Sequence, residues 1–167
     1  MAISRSNLRF YLSGGPDNTD PRMSLGGAPS KTSIGRGLDD LFDDVTGLEA
    51  EKGRTDYRCI YFMNTDPNDE GLIDPFVWVV EPPMQSGFGL GLDRAGKNGI
   101  ADLITDETTA PGGVSFSSPS SFMEALSLPD GPYLEGESIP IWVRRITPKG
   151  SRPATETVLI RVRGETY

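Results

Sequence analysis

Apolar and polar residues alternate along much of this chain, with the period of half-buried β-strands. The clearest stretches lie near the C-terminus: Glu137-Ser-Ile-Pro-Ile-Trp-Val-Arg-Arg-Ile146 and Thr157-Val-Leu-Ile-Arg-Val-Arg163, separated by a loop rich in Pro, Gly and Ser. They are expected to pair with each other and close a small all-β domain. Residues 57–64 read as an inner strand. Tyr57, Cys59, Tyr61 and Met63 alternate with Arg58, Ile60 and Phe62, so both faces are partly apolar. Residues 75–81 read as a strand with Phe76, Trp78 and Val80 on one face, and 65–71 as the polar turn leading to it. In 87–93, Phe88, Leu90 and Leu92 alternate with glycines. Residues 112–119 suggest one more short strand, and 98–107 a short helix or a crossing loop.

A helical period occurs once with clarity. Leu38, Leu41, Phe42, Val45 and Leu48 share a face over 37–50, Asp39, Asp40, Asp43 and Asp44 take the other, and Gly47 is a plausible stop. Ser121-Phe-Met-Glu124 has the form of a capping box and predicts a short helical turn. Residues 1–36 hold a short strand over 7–12, followed by Gly- and Pro-rich loop chemistry with little to bury. They are expected to form an extended N-terminal arm that packs on another subunit. Residues 37–167 are expected to form the domain: a mainly β, antiparallel β-sandwich, Ig-like or jelly-roll-like, including the amphipathic helix 37–50.

Composition narrows the function. The chain has 167 residues, 20 Gly, 14 Pro and a net charge of −8. Such a surface repels phosphate and anionic lipid, so nucleic acid and membrane are not expected partners. The longest uninterrupted apolar run is 76–80, far short of a membrane span, and the opening residues 1–7 are expected to hold no signal peptide. There is no histidine, which removes Ser-His-Asp and Cys-His nucleophiles and the common zinc sites. The single cysteine, Cys59, has no intrachain disulfide partner. It reads as a buried strand residue, against the alternative of a thiol activated by Arg58.

Other constellations have bland readings. The aspartates at 39, 40, 43 and 44 suit a solvated helix face better than a cation site. Gly87-x-Gly-x-Gly91 has no following helix to meet a phosphate, so its glycines are read as room for a neighbouring backbone. Asp102 with Asp106, or Glu135 with Glu137, offers a glycosidase-like pair only by chance spacing. Trp78 and Trp142 sit in alternating apolar runs and read as core anchors rather than a sugar platform. Arg144, Arg145, Arg161 and Arg163 concentrate positive charge, for pairing with the chain's own acids or with an acidic partner. No catalytic residue, cofactor or metal ligand is expected.

Several strings taken in order resemble a group of tailed-bacteriophage virion proteins: Asn7-Leu-Arg-Phe-Tyr-Leu-Ser-Gly-Gly15, Ser24-Leu-Gly-Gly-Ala28, Leu41-Phe-Asp-Asp-Val-Thr-Gly47, Asp56-Tyr-Arg-Cys-Ile-Tyr-Phe-Met-Asn64 and Gly136-Glu-Ser-Ile-Pro-Ile-Trp-Val-Arg-Arg145. The resemblance runs over nearly the whole chain. It implies a non-enzymatic structural protein of the particle, a head decoration or cement protein or a component of the head–tail neck. Its partners would be a major capsid protein or neck proteins and copies of itself, in a virion assembled in the host cytoplasm. A carbohydrate- or receptor-binding module of a fibre is the alternative. Leu8, Phe10, Leu12, Met23 and Leu25 of the arm, with Arg144 and Arg145, are the candidate subunit contacts.

Overall fold

Strand β2 (Arg54–Asn64) is the axis of the molecule. The computed structural model describes residues 3–35, 41–68 and 70–166. In these, β2 lies between β1 (Leu8–Leu12) and β6 (Ser138–Thr147), and β4 (Gly87–Leu92) completes an antiparallel sheet in the order β1-β2-β6-β4. A second antiparallel sheet has the order β5-β3-β7, from β3 (Leu72–Glu81), β5 (Leu126–Ser127) and β7 (Leu159–Thr166). The two sheets form a β-sandwich around Ile60, Phe62, Val77, Val79, Ile141 and Val143.

The C-terminal runs correct the expectation that they pair with each other. β6 pairs with β2 and β4, whereas β7 pairs with β3 in the other sheet. Their patterns explain the separation. The first six residues of β6 are all buried, which requires a sheet covered on both faces. β7 alternates half-buried and exposed positions along most of its length, with Arg161, Arg163 and Glu165 outward, which suits a sheet wet on one side.

The four-stranded sheet is covered on its second face as well, by loops that pack Ala101, Val114 and Phe116 onto Cys59, Tyr61 and Trp142. Polar atoms there are paired inside the chain. The Tyr61 hydroxyl donates to the Gly27 carbonyl at 2.7 Å and accepts from the Ala101 amide at 3.0 Å. The Trp142 indole N–H donates to Asp93 at 2.7 Å. Gly89 and Gly91 make the close approach possible: a Cβ on Gly91 would stand 2.5 Å from Val114 and 2.8 Å from the Ser115 carbonyl. Residues 112–119 form a single bridge, Leu90 to Ser117, rather than the strand expected there.

Residues 8–34 are part of the sandwich, not an arm reaching away. Leu8–Leu12 pairs residue by residue with Ile60–Asn64. Residues 30–34 then line the far edge of β1, with Ile34 N–H donating to the Phe10 carbonyl at 2.8 Å. The Ser24 hydroxyl donates to the Cys59 carbonyl at 2.6 Å and accepts from the Ser13 amide at 2.8 Å, clasping β2 where β1 ends. The apolar residues of 8–12 and the inner face of β2 attract each other, and that contact is available within the one chain.

The helix is shorter and later than its periodicity predicts. Leu38, Asp39 and Asp40 lie outside the described residues; Leu41–Thr46 is not helical, and α1 spans Gly47–Lys52. Two local features account for this. The Val45 amide is spent on the Ala154 carbonyl at 3.0 Å. Thr46 and Glu49 form a full capping box, so Gly47 opens the helix it was expected to end. At 121–124 the expected box is absent: Ser121 makes no cap bond, Glu124 accepts from Ser120, and only a 3₁₀ turn, Phe122–Glu124, forms.

Candidate interaction surface: an open seam beside β7

The sandwich is sealed along one side and open along the other. β7 has a strand neighbour on one side only. Among the described residues, its outer edge makes no backbone hydrogen bond beyond the β3 ladder. Its inner side chains, Ile160 and Val162, look across a groove of about 1160 Å³ toward Leu8, Phe10, Ile34 and Phe42. All six are half-buried. Among the described residues, β1 and β7 end their sheets without a further strand between them, which leaves the groove.

One end of the groove is polar, and its charges are paired within the chain. Asp56 accepts from Arg54 at 2.5 Å and from Arg145 at 2.9 Å. Arg54 reaches Glu49 at 3.0 Å and also Glu107, and Glu107 pairs with Arg58 at 2.5 Å. The Phe42 ring lies against two of these guanidiniums, 5.3 Å from that of Arg58 and 4.9 Å from that of Arg145. Three arginines meet three carboxylates, so no net charge is left to draw a ligand. Burial pushes the Glu49 pKa up, but hydrogen bonds from Thr46 and the charges of Arg54 and Arg145 outweigh it and hold the carboxyl below its usual value. Glu156 at the groove wall behaves alike: burial raises its pKa, and hydrogen bonds from Ser86 and Gln85 bring it below the usual value.

The sequence-derived contact residues fall into separate places. Leu8 and Phe10 line the groove, but Leu12 is buried in the core. Leu25 is half-buried; Met23, 59% exposed, ends the 3₁₀ turn Pro21–Met23, and the loop after it is bonded to the 101–104 loop, where Leu103 is 73% exposed. Arg144 and Arg145 point to opposite faces of β6, as successive strand residues must. Arg144 stacks on Phe116 at 4.8 Å, while Arg145 is held by Asp56 and the Asp43 carbonyl. Arg145 is spent within the chain, whereas Arg144 has the Phe116 ring but no ion pair among the described residues. On β7, Arg161 and Arg163 are exposed and make no ion pair among the described residues; Arg163 lies 5.3 Å from the Phe122 ring.

The other chemical readings lose their residues. Trp142 is fully buried and Trp78 is 7% exposed under Phe122, so neither offers a sugar platform. Asp102 is paired with Arg94, Asp106 caps the turn at Thr108, and Glu137 is paired with Lys97. Gly87–Leu92 is a strand with no helix behind it. Asp43 and Asp44 are exposed, and no cluster of three or more metal-type ligands occurs among the described residues. Burial pushes the Cys59 thiol up, away from a reactive thiolate. No helix among the described residues is long and apolar enough to cross a membrane.

The chain matches no protein-family model, no curated protein and no solved structure. Its functional reading therefore rests on the site itself and on the resemblance of the strings quoted above. Periodicity could not show the free edge of β7: Leu159-Ile-Arg-Val-Arg-Gly-Glu-Thr166 has one apolar and one charged side, which marks a sheet wet on one face but not which edge is paired.

Proposed function

We propose that this protein is a non-enzymatic structural component of a tailed-phage particle, acting through protein–protein contacts, with capsid decoration or cementing as its role. The observation that carries the reading is the apolar groove beside the outer edge of β7, which has no partner among the described residues. Half-exposed apolar side chains next to free backbone donors and acceptors suit a polypeptide better than a small polar substrate. Met23, Ile100 and Leu103, all more than half exposed, add apolar contact surface elsewhere. The strings resembling virion proteins support the setting, and the acidic surface suits binding to protein rather than to packaged DNA.

A tagged copy supplied during infection by the phage that encodes the chain tests this reading. Co-purification of the tag with intact particles is expected. A copy number that scales with the capsid lattice means decoration, and one that matches a single ring means the neck. Particles that exclude the tagged chain while the native copy is also absent from them would overturn the proposal.

A further inference from the structure

We propose that the free edge of β7 accepts an extended segment of a partner protein as an added strand, and that this segment alternates apolar with acidic residues. A strand edge is a row of unsatisfied N–H and C=O groups, and only another extended backbone meets that row in register. A helix has no such groups to offer along its length. The pleat then dictates the composition of the guest, because successive side chains go to opposite faces. On the inner face they enter the groove beside Ile160 and Val162, where Leu8 and Phe10 form the opposite wall. On the outer face they stand beside Arg161 and Arg163, which are exposed and without an ion pair among the described residues. Apolar residues satisfy the first side and carboxylates the second.

Charge complementarity also chooses between occupants. A second copy of this chain, paired antiparallel through β7, would set Arg161 against Arg163 twice in one register; in the other it would set Arg163 against itself, with Arg161 opposite Glu165. Like charges directly opposite are destabilising; each self-pairing register keeps at least one arginine opposite another, whereas an acidic strand meets both Arg161 and Arg163 with an opposite charge. Arginines on an open edge thus do two things: they suppress indiscriminate pairing and select the partner. This inference shares with the proposed function only the premise that the partner is a protein, and it does not require a phage particle.

The test uses the full chain and a dye-labelled, capped peptide of roughly ten residues, the length that spans β7, alternating valine and glutamate. Fluorescence anisotropy should show saturable binding. A peptide with lysine in place of each glutamate should bind weaker by about tenfold or more, and a peptide N-methylated throughout its backbone should not bind. The doubly reversed chain, Arg161→Glu with Arg163→Glu, should invert the preference and take the lysine peptide, a result that unfolding cannot imitate. Equal binding of both charge types, retained binding of the N-methylated peptide, no saturable binding, or dimers of the chain that the peptide must displace would each overturn the proposal. Particle incorporation is read separately, so either proposal can fail alone.

Discussion

The two sheets of this protein are built from similar residues and end in different states. In the four-stranded sheet, β2 and β6 lie between neighbours on both edges, and loops cover the face that does not meet the other sheet. In the three-stranded sheet, β3 is lined on both sides, but β7 has a free edge and an inner face that looks into a groove. The contrast is sharpest across one register pair. Val77 of β3 and Val162 of β7 are direct cross-strand partners, yet Val77 is fully buried and Val162 only half so. Stability is concentrated where both faces are covered, and surface able to receive a partner is left where the last strand is missing.

The largest expected effect breaks the sealed side. Deletion of residues 2–30 removes β1 and Ser24, leaving one edge of β2 and the Cys59 carbonyl without partners. No cooperative urea transition should remain. Retention of the transition would restore the independent arm expected from the sequence. Next comes Trp142→Ala, which empties a fully buried site and takes the indole donor from one oxygen of the buried Asp93 carboxylate. It should cost about 4 kcal/mol in urea unfolding.

The Val77 and Val162 pair gives a finer comparison. Exchange of valine for threonine adds a hydroxyl at almost constant volume. At Val77 that hydroxyl is buried and the cost should be about 2 kcal/mol, whereas at Val162 it can reach solvent and the cost should stay near ~0.5 kcal/mol. Equal costs at both positions would mean that the groove is closed. The smallest effect concerns acid. Because the folded Glu49 pKa lies below its ordinary value of 4.5, its charged form favours the fold. That contribution is complete above the unfolded value and is lost as pH falls through the folded one. Glu49→Gln should therefore flatten the loss of stability below about pH 4.5, measured by thermal unfolding across pH, while leaving neutral stability less changed.

Much of the fold was legible because strand periodicity is local. The inner strand at 57–64, apolar on both faces, and the glycines of 87–91, which admit a neighbouring segment, were both readable from residue alternation. Pairing was not, because partner choice depends on what covers each face. β6 and β7 are close in sequence, and only the outward charges of β7 separate them. The helix was misplaced because Leu41, Phe42 and Val45 have helical spacing but separate tertiary uses. Phe42 lies on two guanidiniums, and Val45 is bridged to Ala154. The arginine contacts at 144 and 145 were anticipated as a cluster, but strand alternation sends them to opposite faces. The exposed arginines of β7, Arg161 and Arg163, were named in the sequence without a surface to place them on.

Amide hydrogen exchange of the full chain, read by mass spectrometry with and without the valine–glutamate peptide, tests the central claim most directly. The account predicts that peptide addition slows exchange in segment 159–166 and leaves β2 and β6, already slow, unchanged. Protection that falls elsewhere, or none within 159–166 at saturating peptide, would contradict it.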